Sequence, residues 1–407
     1  MTAKTSNENN SSPNRVELAD LPPIPAKSLY LHVPFCLQKC RYCDFYSVAQ
    51  ASPDQLARFV DAVLREATIW QKFIQSTGTV FQTVFFGGGT PTVLPPDQMS
   101  RLLSGLRKRM PIAPDAEWTV EVNPATVDES YCRRLIAEGV NRLSIGAQSF
   151  IDNELALLGR IHPAQAVVRT VDAARAAGFD RLSLDLMYAI PGQTLESWQA
   201  SLTHAVELGV EHLSCYCLTL ESGTPLWRMI QNGELAEADE QTQLAYMKLT
   251  RAFLAAKGFA AYEISNYAVP GQECRHNLVY WRGQNYIGLG PAAASHISGH
   301  RWRNQAALEP YHQAINAHRL PVADSEVLTL QQRIGELAML MLRTAEGIDC
   351  QQFANILGVD PLHIFAGALP ELERMGLLAY SNNRIALTET GVCVADSVTA
   401  NLIRLLD

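Results

Sequence analysis

The sequence predicts an α/β protein: a partial, TIM-like (β/α)6 barrel followed by a helical, winged-helix-like C-terminal domain. Three observations support this prediction. From residue 28 onward, six short β-rich runs alternate with amphipathic helical patterns, which is typical of a parallel α/β domain. Unusual polar or glycine-rich segments follow these runs at their carboxyl ends. After about Glu326 the alternation gives way to helices and a short hairpin.

The predicted barrel begins with a strand and closes its repeats with glycines. The six strand candidates are residues 29–35, 80–86, 118–122, 142–147, 181–188 and 212–218. The first helix is predicted to start at Ser52, an N-cap, with Pro53 in the first helical position. Later helices are predicted to end at left-handed glycines, namely Gly139, Gly178, Gly209 and Gly258.

Periodicity alone does not separate an open doubly wound sheet from an incomplete barrel, because both contain parallel strands joined by helices. The position of the unusual segments is more informative. They follow consecutive strands, and only a curved sheet brings so many strand ends around one cavity. The sequence therefore favours the partial barrel.

Three cysteines directly follow the first strand: Cys36, Cys40 and Cys43, with the spacing Cys-x3-Cys-x2-Cys. Three thiolates bind three irons of a cubane [4Fe-4S] cluster and leave one iron open to a further ligand, whereas electron-carrying clusters usually have four. A structural zinc site needs a fourth ligand close by, and the next cysteine, Cys132, lies far away in a predicted helix. The spacing favours an iron–sulfur cluster with one open iron over zinc or a disulfide.

The second strand runs into Gly87-Gly88-Gly89-Thr90-Pro91. Without Cβ atoms, the backbone amides of such a run can come close to a charged ligand. A tight strand–helix turn is the structural alternative, and the run does not have the G-x-G-x-x-G spacing of a dinucleotide-binding loop. In its context we interpret it as a cradle for a zwitterionic head group.

Charged residues mark three further positions near strand ends. Glu121 interrupts an apolar alternation at the end of the third strand, where it either contacts a ribose diol or an amine or is an ordinary solvated glutamate. Asp185 lies in a strongly apolar strand, and a functional role is favoured there because an unpaired buried carboxylate is costly. Arg160, by its local pattern alone, is a surface residue.

Together, the cysteine triplet, the glycine run and the ordered polar residues resemble the radical S-adenosylmethionine (SAM) proteins. The segments 29–36 and 185–192 are similar to the branch that contains oxygen-independent coproporphyrinogen III oxidases and heme chaperones of the HemW type. The resemblance extends from residue 28 to the end and implies a barrel of the radical SAM type, with SAM bound to the open iron. It assigns SAM contacts to Tyr30, Gly88, Gly89, Thr90, Glu121, Gln148, Arg160 and Asp185.

Two features separate the chaperones from the oxidases within this branch. The oxidase pattern has another cysteine two residues after the third, whereas Cys43 is followed here by Asp44-Phe45, and the longer N-terminal extension of the oxidases is not expected here. The segment His276-Asn277-Leu278-Val279-Tyr280-Trp281 resembles the His-Asn-x-x-Tyr-Trp motif of the chaperones. His276 is therefore the candidate heme-iron ligand, with Cys274 or Tyr280 as substitutes and a purely structural histidine as the alternative.

The resemblance thus implies a heme chaperone that binds a [4Fe-4S] cluster, SAM and heme and transfers heme to acceptor hemoproteins such as respiratory enzymes. An electron donor would serve the cluster. The alternative is an enzyme, the oxidative decarboxylase of coproporphyrinogen III, which would use the same cluster and SAM site. A zinc-stabilised binding module is a third, non-redox alternative.

Composition limits the partners and the compartment. The 407 residues include 41 acidic and 33 basic side chains, a formal charge of -8, which argues against nucleic-acid binding. Nine cysteines without a disulfide pattern, three of them needed as thiolates, indicate a reducing, cytoplasmic location. No apolar stretch is long enough for a membrane span, so at most peripheral membrane contact is expected.

Four segments are predicted: a disordered polar tail (1–27), the barrel (28–265), a connecting segment with the heme motif (266–325) and the winged-helix-like domain (326–407). The last is expected to contain helices at 333–344, 350–357 and 361–375 before its hairpin. Residues 331–407 contain five arginines, no lysine and nine acidic residues, so docking onto the barrel or a recipient protein is favoured over DNA binding.

Overall fold

The computed structural model describes residues 16–404. The strands are β1 (Ser28–Val33), β2 (Phe35–Cys36), β3 (Val48–Ala49), β4 (Phe81–Gly88), β5 (Ile112–Val122), β6 (Arg142–Gln148), β7 (Leu182–Tyr188), β8 (His212–Cys217), β9 (Ala260–Ala261), β10 (Asn266–Ala268), β11 (Tyr286–Leu289), β12 (Ala294–Ile297), β13 (His300–Asn304), β14 (Val322–Val327), β15 (Ile348–Asp349), β16 (Leu378–Ser381) and β17 (Arg384–Leu387).

Helices cover one face of the main sheet and build most of the C-terminal domain. They are α1 (Pro53–Ile69), α2 (Gln71–Thr77), α3 (Pro96–Arg109), α4 (Glu129–Ala137), α5 (Asp152–Leu158), α6 (Ala164–Ala177), α7 (Leu195–Glu207), α8 (Pro225–Gln231), α9 (Glu240–Ala256), α10 (Arg275–Trp281), α11 (Leu308–Asn316), α12 (Leu330–Leu342), α13 (Cys350–Leu357), α14 (Pro361–Ile364), α15 (Leu369–Arg374), α16 (Glu389–Val392) and α17 (Ala395–Ile403).

The central sheet has twelve strands in the order β14-β13-β12-β11-β1-β4-β5-β6-β7-β8-β10-β9. The six predicted strands are confirmed as β1 and β4 to β8, which are parallel neighbours in sequence order. The third is longer than predicted, because β5 begins at Ile112. The order ends at β14 and β9 without closure, which agrees with the predicted partial barrel.

The segment 266–325 does more than connect two domains. It adds β10 antiparallel to β8 at one side of the sheet, and β11 parallel to β1 at the other. The antiparallel strands β12 and β13 extend the sheet beyond β11. The sequence did not indicate these strands because each has only three to five residues, too few for a clear alternation of apolar and polar positions.

Local signals at the helix ends are confirmed. The Ser52 side chain accepts a hydrogen bond from the Gln55 amide and completes a capping box at the start of α1. The four predicted end glycines all have positive φ angles, at Gly139 (88°), Gly178 (107°), Gly209 (65°) and Gly258 (86°). Each therefore allows a tight exit from a helix towards the next strand.

The predicted disordered tail is partly ordered. Leu21 and Ala26 are only 6% and 1% exposed within the main core, and the Ala26 amide donates to the Thr79 hydroxyl at 3.2 Å. This part of the prediction was wrong, because the apolar residues that flank the proline cluster are buried in the core. Residues 1–15 of the predicted tail lie outside the described residues.

The C-terminal domain has its own apolar core, which includes Phe353, Phe365 and Ile385. The predicted hairpin is confirmed as β16 and β17, and β15 adds a third strand. The single predicted helix at 361–375 is instead divided into α14 and α15. An ion pair between Arg301 and Glu336 joins the main sheet to α12 of this domain.

Candidate functional site

The three cysteines lie on one loop beside the carboxyl end of β1. Cys36 belongs to β2, which pairs with β3, and Cys40 and Cys43 lie in the loop between these two short strands. All three thiols are free and half-buried. Burial raises the pKa of the Cys36 and Cys43 thiols, and the Thr90 hydroxyl opposes this effect at Cys36, whose Sγ it contacts at 3.8 Å. Within residues 16–404, no three His, Cys, Asp or Glu side chains lie close enough together to hold a single metal ion.

Arg160 connects the cysteine loop to the end of β6. Its guanidinium donates to the Cys40 sulfur at 3.4 Å and to the Gly146 carbonyl at 2.7 Å. Gln148 lies on the same rim in a left-handed conformation (φ 67°), and a Cβ atom at Gly146 would come within 3.1 Å of its amide nitrogen. The structure thus places Arg160 beside a candidate cluster ligand, although its local sequence had the pattern of a surface residue.

The glycine run lies tightly against the strand that leads to the cysteines. A Cβ atom at Gly88 (φ 102°) would come within 2.4 Å of the His32 ring, and one at Gly89 would come within 2.6 Å of the Phe35 carbonyl oxygen. The amides of Gly89 and Thr90 donate to the carbonyls of Val33 and Phe35. These glycines therefore have a packing role, and the Gly88 amide also donates to the Glu121 carboxyl at 3.2 Å.

A polar cavity of about 200 Å³ lies on the inner face of the barrel strands. Three residues assigned to SAM by resemblance line it: Tyr30, Glu121 and Asp185. Asp185 accepts hydrogen bonds from the Ser144 hydroxyl at 3.1 and 3.2 Å. Burial and the neighbouring Asp185 raise the pKa of Glu121 to about 8. Burial also raises the pKa of Asp185, although hydroxyl groups and Arg142 oppose the shift.

Further cavity residues were missed from the sequence. They are Phe85, Arg142, Ser144, His212, Ser214, Tyr216 and Asn277. Five of them, all but Phe85 and Asn277, occupy alternate positions on β6 and β8, so they share the inner face of the sheet. Polar residues at every second position of these two strands were the signal that could have identified them.

His276 lies at the base of this cavity and is 1% exposed. Its Nδ1 atom is hydrogen-bonded to the hydroxyls of Ser28 (2.8 Å) and Thr83 (2.9 Å), and its Nε2 atom to the hydroxyl of Tyr280 (2.8 Å). Burial, followed by Arg142, lowers the pKa of His276 to about 3. This arrangement is that of a structural histidine, and iron could reach Nε2 only after the Tyr280 hydroxyl had moved away.

The buried Cys274 thiol, one substitute for His276, also has a partner. It donates to the carboxylate of Glu117 at 3.6 Å, and the His276 amide donates to the same carboxylate at 3.0 Å. Glu117 further pairs with Arg181 at 2.8 Å. The start of α10 is therefore fixed to β5 by a buried carboxylate, which the sequence did not indicate.

Comparison with protein-family models agrees with this geometry. Residues 30–205 match the Radical SAM superfamily, and residues 328–394 match the HemN C-terminal domain. The fold and the cysteine loop thus define a radical SAM protein, a class that implies a [4Fe-4S] cluster and SAM. The donor set fits a cluster, because three thiols share one loop and Arg160 and Thr90 donate to their sulfurs.

Curated relatives narrow the class. A Mycobacterium tuberculosis protein named heme chaperone HemW is 36% identical over 395 residues, which cover 95% of this chain and 98% of the relative. Its Bacillus subtilis namesake is 34% identical over 376 residues, 91% and 98% of the two chains. The chain belongs to the heme chaperone HemW family.

A solved structure supports the fold assignment. Coproporphyrinogen III oxidase (HemN) from Escherichia coli, a radical SAM enzyme, superposes with a TM-score of 0.81 at 25% identity. The match covers 96% of this chain and 92% of the oxidase. In the described part of the chain, no helix is both long and apolar enough to cross a membrane.

Proposed function

We propose that this protein is a heme chaperone that binds a [4Fe-4S] cluster, SAM and heme and transfers heme to acceptor hemoproteins such as respiratory enzymes. The observation that carries the proposal is the similarity, over nearly the full length of both chains, to relatives named heme chaperones. A reducing compartment, the cytoplasm, suits the three thiolate ligands. An electron donor is a further expected partner.

The loop cysteines Cys36, Cys40 and Cys43 would hold the cluster. When bound, it supplies an open iron for the amino and carboxylate groups of SAM. Arg160 and Thr90 stabilise the thiolates by donating to their sulfurs.

The inner rim would position SAM. Glu121 and Asp185 face the same cavity and would accept hydrogen bonds from its polar groups, and Tyr30 lines the wall beside them. The set of proposed contacts is completed by Gln148 at the end of β6, by Gly88, Gly89 and Thr90 at the end of β4, and by Arg160. Because the Gly88 and Gly89 amides already donate to Glu121 and Val33, these glycines would let SAM approach the backbone closely rather than donate to it.

Replacement of the cavity carboxylates tests the SAM site. Asp185→Ala and Glu121→Ala should each weaken SAM binding by about 1 to 3 kcal/mol, the range for a hydrogen bond to a charged group. The cluster should remain, because neither side chain is an iron ligand. Asp180→Ala, an exposed carboxylate near β7, is the control. Unchanged SAM affinity in both cavity variants of the reconstituted protein would show that SAM binds elsewhere.

The heme ligand is a separate question. His276 stays the proposed ligand, on condition that the Tyr280 hydroxyl leaves Nε2 when heme binds. His276→Ala should then alter the Soret band and slow heme transfer while the cluster and SAM binding persist. Tyr280→Phe removes the competing hydroxyl and should make Nε2 more accessible to iron. An unchanged heme spectrum in His276→Ala would transfer the role to Cys274, Tyr280 or another residue.

The chaperone and oxidase functions are distinguished by two assays of the anaerobically reconstituted protein. In the first, heme is titrated and then transferred to an apo-hemoprotein, and stoichiometric binding followed by transfer is expected. In the second, coproporphyrinogen III is supplied with SAM and a reductant, and no protoporphyrinogen IX is expected. Its formation would replace the chaperone proposal with the oxidase alternative.

A further inference from the structure

Arg142 is a buried cation that the proposed cluster and SAM sites do not use. It begins β6, is 2% exposed and lines the inner cavity. Among residues 16–404, no hydrogen bond or ion pair within 4 Å engages its guanidinium, which carries five N–H donors. These donors open into the cavity, so oxygen atoms of water or of a bound molecule are expected to contact them.

The acidic neighbours of Arg142 are already engaged elsewhere. Glu117 pairs with Arg181 at 2.8 Å and accepts from the His276 amide at 3.0 Å. Asp185 accepts one bifurcated hydrogen bond from the Ser144 hydroxyl. Both carboxylates attract Arg142 through space, because its charge is favoured by Glu117 and Asp185, but neither approaches closely enough to bind its donors. The surroundings therefore tolerate the cation and leave its hydrogen-bonding capacity free.

The cavity has two levels along the strands. Ser144 is paired with Glu121 across β5 and β6, and this upper level contains the carboxylates assigned to SAM. Arg142 precedes Ser144 by two residues on the same strand, so it faces the same way about 6.6 Å further down. The lower level also contains His212 and His276, whose ring nitrogens are all hydrogen-bonded to hydroxyl groups.

The size of the cavity limits its occupant. About 200 Å³ is smaller than the roughly 300 Å³ at which sites for drug-sized ligands begin. The lower part of this volume therefore admits a small acid or one arm of a larger ligand. Tyr216, which lines the cavity, keeps 40% of its side chain accessible to solvent.

We propose that the lower level of this cavity is a carboxylate-binding subsite in which Arg142 donates two parallel hydrogen bonds to the bound carboxylate. Arginine is suited to this role because its planar fork matches the two oxygen atoms. The carboxylate belongs either to a propionate arm of a porphyrin, an assignment that rests on the proposed function, or to a small free acid.

A double comparison of protein and ligand tests the porphyrin arm. Heme and its dimethyl ester, in which both propionates are blocked, are titrated into reconstituted wild-type protein, Arg142→Gln and Arg142→Lys. The wild type should bind heme at least tenfold more tightly than the ester, and this ratio should fall to about one in Arg142→Gln. Arg142→Lys retains the charge without the fork and should give an intermediate ratio. The cluster content of Arg142→Gln reports whether this variant folds. If it does not fold, Arg142→Lys replaces it in the comparison.

Arg333 supplies the matched control. It lines a separate cleft of about 170 Å³ between Tyr280 and α12, on the side of the C-terminal domain. Arg333→Gln should keep the wild-type preference for heme over its ester. Loss of the preference in Arg333→Gln alone would locate the propionate in that cleft and overturn the proposal, as would a preference for heme over its ester that is equally strong in wild type and Arg142→Gln.

If the protein binds no heme, the proposed function is contradicted. The carboxylate-binding subsite is then tested separately, with sodium propionate as the ligand. Propionate should raise the midpoint of thermal unfolding of the wild type, and Arg142→Gln should not respond. A response of the wild type to propionate together with equal binding of heme and its ester would assign the subsite to a free acid. No response in either protein would mean that water satisfies Arg142, and the subsite would be rejected.

Discussion

Burial changes the chemistry of individual side chains on the inner face of the sheet. Glu121 and Asp185 share a cavity, and their proximity adds to burial in raising the pKa of Glu121. His276, a candidate ligand in the sequence, instead uses both ring nitrogens to join Ser28, Thr83 and Tyr280. Burial thus has two outcomes on this face: Glu121 and Asp185 line a cavity where a ligand can contact them, whereas His276 is held by hydrogen bonds within the protein.

The cluster ligands can be tested residue by residue. Cys36→Ala, Cys40→Ala or Cys43→Ala should each abolish the broad iron–sulfur absorbance near about 400 nm, because one of only three protein ligands is lost. Single alanine variants of the other cysteines should retain it, namely Cys132, Cys215, Cys217, Cys274, Cys350 and Cys393. Full iron and sulfide content in any of the three loop variants would contradict the assignment. Zinc without sulfide in the wild type would favour the binding-module alternative.

His212 should make the folded protein sensitive to acid. It is 2% exposed, its ring nitrogens contact the hydroxyls of Ser183 and Tyr262, and burial lowers its pKa well below the usual value. In the unfolded chain this histidine takes up a proton near pH 6.5, whereas in the folded protein it stays neutral at that pH. The stabilising contribution that is present above pH 6.5 is therefore lost as the pH falls below it. Between pH 7.5 and 5.5 it should reduce the unfolding free energy by about 1.4 kcal/mol.

Denaturant unfolding of His212→Gln at these two pH values checks this expectation. The variant should be less stable at both, but its loss between them should be smaller than that of the wild type by about 1.4 kcal/mol. His204→Gln, at an exposed position of α7, is the control and should retain the wild-type difference. Equal losses in His212→Gln and wild type would contradict the prediction.

At the scale of elements, one buried glutamate joins the predicted barrel to the strands that the sequence did not reveal. Glu66 of α1 is fully buried and accepts hydrogen bonds from the Tyr311 hydroxyl (2.6 Å), the Gly290 amide (2.8 Å) and the Asn304 amide (2.8 Å). These partners belong to α11, to the turn after β11 and to β13. The first helix thereby holds the antiparallel extension in position.

Glu66→Ala should lower the unfolding free energy by about 3 kcal/mol or more, because each of three buried donors left without a partner costs roughly 1 to 3 kcal/mol. Asp61 lies on the same helix as Glu66 and forms an exposed ion pair with Arg101 of α3. Asp61→Ala should therefore cost less than about 1 kcal/mol. Chemical denaturation of both variants measures the difference. Similar small losses would show that the extension does not depend on this residue.

Across the whole molecule, the contacts of the C-terminal domain and its acidic charge both favour docking over DNA binding. The C-terminal domain is joined to the sheet through Arg301 and Glu336, and Arg282 of the loop after α10 pairs with Glu346 of the domain at 3.2 Å. A surface with an acidic excess gives such a domain little attraction for phosphates. Its contacts to the barrel are consistent with docking, the use that the sequence favoured for this winged-helix-like unit.

The whole protein should therefore not bind nucleic acid. With a fluorescent 20-base-pair duplex at about 150 mM salt, the dissociation constant should be weaker than roughly 100 μM, the weak end of non-specific binding. A basic winged-helix protein is the positive control. Micromolar binding that weakens steeply with salt would contradict the charge argument.

The sequence by itself determined the features that depend on neighbouring residues. The alternation of strands and helices, the capping box at Ser52 and the left-handed glycines are local patterns, and all are confirmed. It also placed Glu121 and Asp185 correctly on one rim, because the carboxyl ends of parallel strands converge in any curved sheet. The sequence also indicated the family, because the cysteine spacing and the glycine run are local motifs.

Only the tertiary structure decided which distant groups meet. It brought Arg160 into contact with Cys40 and bonded both ring nitrogens of His276 to hydroxyls from β1, β4 and α10. It also placed the Arg142 guanidinium against a cavity, with no hydrogen-bonding partner among residues 16–404. Residues 28 and 276 are separated by most of the chain, and no periodicity encodes their contact. The hydrogen-bonding partners of a buried polar group depend on packing between elements, which follows from the whole fold rather than from local sequence.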